Sequence, residues 1–210
     1  MMLLQPEHIE ALEQAEVLMF HSDFCPYLEL KEIFREGTPQ ASKRFRILFT
    51  NYYGLNVGGL TDAFKDKYFE ILFDSDLVVD DKPDYSSILT TLRKIPRKKG
   101  DYVLHLSFVS KLVAIHRESS PIYDRYVLKF FNAKTPATSI SQEKRIEWYV
   151  KFLNDVANDY AKWANDQRII PILERLKARD SRLGQCDVVR LMDFLVWKVG
   201  NQKLLYAKSC

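Results

Sequence analysis

The sequence predicts an all-α protein of eight to ten helices, on three observations. Apolar residues recur at spacings of three and four through nearly every segment. No apolar–polar alternation lasts long enough to make a strand. Seven glycines and eight prolines are few for 210 residues. A hydrophobic content of 47% with 13% aromatic residues specifies a folded core rather than a disordered chain. The length fits one domain, 1–210, or two helical lobes sharing a cleft, 38–131 in one and 1–37 plus 132–210 in the other.

Each element has its local reason. Pro6 to Phe20 reads as an amphipathic helix with Ile9, Leu12 and Met19 near one face. His21-Ser22-Asp23 breaks it, and Pro26 starts a short second helix that runs through Phe34 and ends at Gly37. Thr38 followed by Pro39 is an N-cap and first-turn pair; the helix it opens carries Phe45, Phe49, Tyr52 and Tyr53 and stops at Gly54. Thr61 and Asp62 open another, with Phe64, Tyr68, Ile71 and Leu72 inward. An acidic connection follows, with a brief strand expected at Leu77-Val78-Val79. Asp84 caps a helix through Ile95. From Asp101 to Phe131 the chain reads as an apolar helix, a short polar connection and a second helix opened by Pro121-Ile122-Tyr123-Asp124. Ser141 opens the longest helix, Pro171 fits the first turn of the next, and Asp187 caps a last one that ends at Gly200.

Composition narrows the function classes. A net charge of +3 does not by itself establish a polyanion partner. The three cysteines, Cys25, Cys186 and Cys210, form no C-x-x-C pair, which excludes a four-thiolate iron–sulfur cluster in one chain and argues against a zinc ribbon. The first twenty residues have no basic stretch ahead of an apolar run, and no segment approaches the roughly 18 uninterrupted apolar residues of a membrane span. The expectation is a cytoplasmic protein in a reducing compartment, without membrane contact. The Val57-Gly58-Gly59 loop lacks the spacing of a phosphate loop, and no G-x-S-x-G elbow is present. His8, His21, His105 and His116 are scattered without ligand spacing, so no metal site is expected.

Two features carry chemistry. Arg93, Lys94, Arg97, Lys98 and Lys99 place five cations within seven positions just before the central helix. Such a run is ordinarily a solvated surface, but here it can also hold phosphates. On the central helix, Ser107, Ser110, Lys111 and Ala114 form a narrow stripe of small residues around one lysine, the pattern of a pocket floor. Burial would favour the neutral amine that attacks a sugar C1′, and a carboxylate at the next helix start, Asp124, would activate it or stabilise developing positive charge. The plainer alternative makes Lys111 the solvent-facing residue of its helix and Asp124 an N-cap. Ser107 on the central helix, with Asp193 and Trp197 one turn apart on the last, are candidates for lining a base pocket; for Asp193 and Trp197 ordinary packing and surface placement is the alternative. The aromatic series Phe45, Phe49, Tyr52 and Tyr53 reads as core, with base stacking as the alternative.

A basic loop, a helix carrying a lysine, and P-I-Y-D at the next helix start resemble the helix-hairpin-helix DNA glycosylase superfamily, of the 8-oxoguanine glycosylase and endonuclease III kind. The resemblance covers about forty residues and keeps only Gly100 of the family's hairpin glycines. It implies an all-α fold, Lys111 as nucleophile, Asp124 as activating carboxylate, and the five cations as phosphate contacts on duplex DNA with a flipped nucleotide. No cofactor is implied. The alternatives are a non-catalytic helical module binding nucleic acid or protein, and an enzyme acting on a free nucleoside.

Overall fold

The computed structural model describes residues 2–57, 59–73 and 83–205. Among them are ten α-helices, one turn of 3-10 helix at Ser181–Gln185, and no strand. The fold is all-α. The expected strand at 77–79 lies outside the described residues. No described helix is long and apolar enough to cross a membrane.

The chain divides into two compact units, Cys25–His116 and Met1–Phe24 with Arg117–Cys210. The division falls within α2 (His21–Glu36). The first of these units holds α3 (Pro39–Tyr53), α4 (Asp62–Phe73), α5 (Tyr85–Arg93) and α6 (Leu106–His116). Its caps follow local chemistry: Thr38 Oγ1 accepts from Ala41 N–H, Asp84 Oδ1 accepts from Ser87 N–H, and Gly54 closes α3 at φ +71°. The core is aromatic. Phe45 stacks on Phe49, Phe49 meets Tyr68 and Phe69, and Phe64 stacks on Tyr68, all five side chains being buried. His116 donates Nε2–H to the Leu72 carbonyl at 2.6 Å, satisfying a group that the end of α4 leaves unbonded.

The other unit holds α1 (Pro6–Val17), α7 (Arg125–Phe130), α8 (Gln142–Trp163), α9 (Ile170–Lys177) and α10 (Val188–Gln202). The last helix is its centre: α10 packs against α1, α7 and α8 and is buried on nearly every side. Glu16 of α1 is buried and held by Arg175 (Nε, 2.9 Å) and Arg179 (Nε, 2.9 Å), while Arg179 also donates to the Met19 and Glu16 carbonyls. Burial pushes the Glu16 carboxyl up, and the hydrogen bonds of the two guanidinium groups outweigh it and hold it below its ordinary range.

Three expectations are corrected. α1 ends at Val17 rather than Phe20. The second helix begins at His21, not Pro26, because Asp23 accepts the Phe20 N–H (2.8 Å) and is itself held by Lys198 of α10 at 2.7 Å. Pro26 sits inside α2 and forfeits the bond to Ser22, which is exposed to solvent. Gly200 does not end α10, which runs on to Gln202 with Lys203 as left-handed cap. A Cβ on Gly200 would lie 2.6 Å from the Cβ of Tyr126, so the glycine lets α10 and α7 approach.

Candidate functional site

The connection between α5 and α6 is an anchored turn. Gly100 N–H donates to the Arg97 carbonyl (2.8 Å) and Arg97 N–H to the Asp101 carbonyl (2.9 Å), with Gly100 in the left-handed region at φ +81°. Lys98 N–H donates to the Gly59 carbonyl at 2.8 Å, which ties the turn to the α3–α4 connection. Arg93, Lys94, Lys98 and Lys99 are exposed. Arg97 differs from them. Its Nε reaches both Asp101 oxygens at 3.0 and 3.1 Å and its Nη2 also bonds Asp101, a forked ion pair at spacing i,i+4. Those hydrogen bonds raise the Arg97 pKa and lower that of Asp101. Four of the five predicted cations therefore face solvent, while the fifth shares its charge with a carboxylate.

α6 continues from this turn. His105, just before its first residue, accepts Phe108 N–H and Val109 N–H at its carbonyl. Its ring is buried against Phe64, centroids 4.3 Å apart, and Nε2 has no hydrogen-bond partner among the described residues. Burial, helped by the Arg97 charge and opposed by Asp101, lowers its pKa to about 4. Within the expected stripe, Ser110 and Ala114 are fully buried, Ser107 and Lys111 half-buried. Ser110 Oγ donates to the Ser107 carbonyl at 3.0 Å. Lys111 Nζ stands 5.4 Å from the Tyr53 ring centre and 5.3 Å from that of Phe108, a cation between two aromatic faces.

Asp124 belongs to the other unit. It caps α7 with Oδ1, which accepts Tyr126 N–H at 2.7 Å and Val127 N–H at 3.1 Å. The turn ahead of it is held from α10. Asp193 Oδ2 accepts Ile122 N–H (2.9 Å) and Arg190 Nη1–H (2.6 Å), and Arg190 Nη2 donates to the Ser120 carbonyl (3.0 Å). Both side chains of that pair are buried. Burial, joined by the nearby Asp124 charge, outweighs the pull of Arg190, the Ile122 N–H and Tyr160 and leaves the Asp193 carboxyl raised to about 7. Tyr160 of α8, fully buried, is raised well above its ordinary range by burial first and by Asp193 and Asp124 next.

Thus the predicted base-pocket residue Asp193 is a buried anchor beneath the turn that carries Asp124. Trp197 stands edge-on to Tyr126, 5.9 Å between centroids, half-buried on the same helix. Arg190 and His105 were not among the expected residues. Arg190 had a readable signal, an arginine three positions from an aspartate on a largely apolar helix. His105 had none, since its burial comes from Phe64, forty-one positions earlier. Among the described residues no cluster of three His, Cys, Asp or Glu side chains could hold a metal ion. No family model matches this chain, and no curated protein or solved structure is significantly similar to it.

Proposed function

We propose that the protein acts on DNA as a base-excising glycosylase with lyase character. The observation that carries this reading is the α5–turn–α6 unit: two helices joined by a fixed turn with one left-handed glycine and four exposed cations, the second helix bearing Lys111. Fixed backbone with exposed cations suits phosphates, which position a duplex without reading its sequence. In the proposed step the neutral Lys111 amine attacks C1′, the glycosidic bond breaks, and its electron pair leaves with the base, which takes up a proton. Stabilising the positive charge that develops on the sugar is the role that the resemblance implies for Asp124. The C1′–O4′ bond then breaks, the amine's second proton goes to O4′, and the opened sugar is held as an imine. Extruding the nucleotide costs a few kcal/mol, least for a damaged or mispaired base. The step needs neither metal nor organic cofactor, and its place is the cytoplasm, at the nucleoid in a bacterium.

A second reading, a non-catalytic nucleic-acid-binding module, is favoured by one observation. Two aromatic faces beside Nζ stabilise the ammonium form of Lys111, the wrong form for attack. Trapping separates the two. The full chain is incubated with duplexes carrying an abasic site or an oxidised purine in the presence of borohydride, which reduces an imine to a stable amine. A covalent complex is expected, lost in Lys111→Ala and formed much more slowly in Asp124→Asn at similar affinity, with circular dichroism checking the α7 cap. Trapping that persists unchanged in Lys111→Ala comes from an adventitious amine and leaves the binding module.

A further inference from the structure

One aromatic residue on the basic turn serves neither the core nor an ion pair. Tyr102 is 57% exposed, and it alone among the described tyrosines is exposed. It lies two residues beyond the left-handed Gly100, after Lys98 and Lys99 and with Asp101 between. The backbone that presents it is fixed at three points: Lys98 N–H on the Gly59 carbonyl, Gly100 N–H on the Arg97 carbonyl, and Arg97 N–H on the Asp101 carbonyl. The Arg97–Asp101 ion pair ties the same residues through their side chains. A chain segment this constrained loses little further entropy on binding, so an exposed ring on it is a prepared contact rather than a loose one.

We infer that this turn seats a nucleic-acid strand in an unpaired state, with Lys98 and Lys99 on backbone phosphates and Tyr102 stacked on a base. The four residue steps from Lys98 to Tyr102 span at most about 14 Å, so the lysines and the ring can engage neighbouring parts of one strand. Stacking is open to any base because every base has a π-face, and alternation of cations with an aromatic platform is how single strands are held without sequence preference. An acidic peptide would satisfy the lysines and leave the ring with nothing to stack on. The inference rests on the nucleic-acid partner of the reading above and not on chemistry at Lys111.

The test uses the full chain, a single-stranded oligonucleotide with a central 2-aminopurine, the same strand in a perfect duplex, and polyglutamate as a polyanion without bases. Tyr102→Ala should weaken single-strand binding about tenfold, within the range measured for losing one stacked base. It should also change the 2-aminopurine emission of the saturated complex and leave the salt dependence unaltered. Tyr102→Phe, which keeps the ring, should bind as the parent does. Paired Lys98→Glu and Lys99→Glu should weaken all nucleic acids and flatten the salt dependence. Equal affinity and emission in Tyr102→Ala overturns the inference, and so does Tyr102→Ala weakening polyglutamate binding to the same extent as DNA binding, which assigns the turn to an acidic partner. Absence of binding to any nucleic acid at low salt overturns it as well. Borohydride trapping reports separately on Lys111: a Tyr102 effect without trapping retains the strand site and removes the glycosylase.

Discussion

His105 shows how one side chain writes its surroundings into the stability of the protein. The neutral ring lies buried against Phe64 with Nε2 unbonded among the described residues, and its pKa falls to about 4. The unfolded chain, with a histidine near 6.5, binds more protons between those two values than the folded one. The stabilising contribution of neutral His105 is thus complete above about pH 6.5 and lost as pH falls toward 4. His105→Phe, apolar at every pH, should flatten that part of the stability profile, so that its acid unfolding in urea shifts to lower pH. Equal slopes in parent and variant between pH 4 and 6.5 would refute the assignment.

At the scale of elements, the packing of α10 on α7 makes the sharpest statement. An exposed helical glycine replaced by alanine gains about 1 kcal/mol of helix propensity. At Gly200 the added methyl would meet the Tyr126 Cβ at 2.6 Å, beneath any normal contact, and overpacking of this kind costs about 1–3 kcal/mol. Gly200→Ala should therefore lower the urea midpoint, a net loss of up to about 2 kcal/mol after the propensity gain is counted. Gly184→Ala, where nothing lies within 4 Å, serves as the near-neutral control. The same helix pair carries Asp124 and its anchors Arg190 and Asp193, so the position of the α7 N-terminus depends on how closely α10 lies against it.

At the scale of the whole molecule the question is how a chain of net charge +3 engages a polyanion. Long-range attraction from so small a net charge is weak at physiological salt, where the screening length is about 8 Å. Affinity must then come from local contacts, and four exposed cations at one turn set its limit. Each phosphate neutralised contributes about −0.7 to the log–log salt slope on single strands and about −0.9 on duplexes. The expected slope on a single strand is near −3, and reversing both Lys98 and Lys99 should reduce its magnitude by roughly 1.4. Titrations across salt that yield a much steeper slope would require cations beyond this turn.

Much of the architecture was legible because its causes are local. Helical period, the caps Thr38, Asp84, Ser141 and Asp187, and the left-handed stop at Gly54 depend on residues within four positions of one another, and each stands where the sequence places it. The forked pairing of Arg97 with Asp101 is equally local, although the density of the charge run hid it. Other features were decided by residues far apart in the chain. Asp23 and Lys198, 175 positions apart, bring the start of α2 forward to His21 and leave Pro26 inside the helix. Gly200 becomes a close approach instead of a stop because Tyr126 occupies the space beside it. Asp193 turns from a candidate pocket wall into an anchor because Ile122, 71 positions away, supplies the N–H that it accepts. The sequence by itself determined where helices form, since hydrogen bonds and caps within a helix close over a few residues. Only tertiary structure decided which side chains those faces meet and which charges they neutralise, because those partners meet only once the helices have packed.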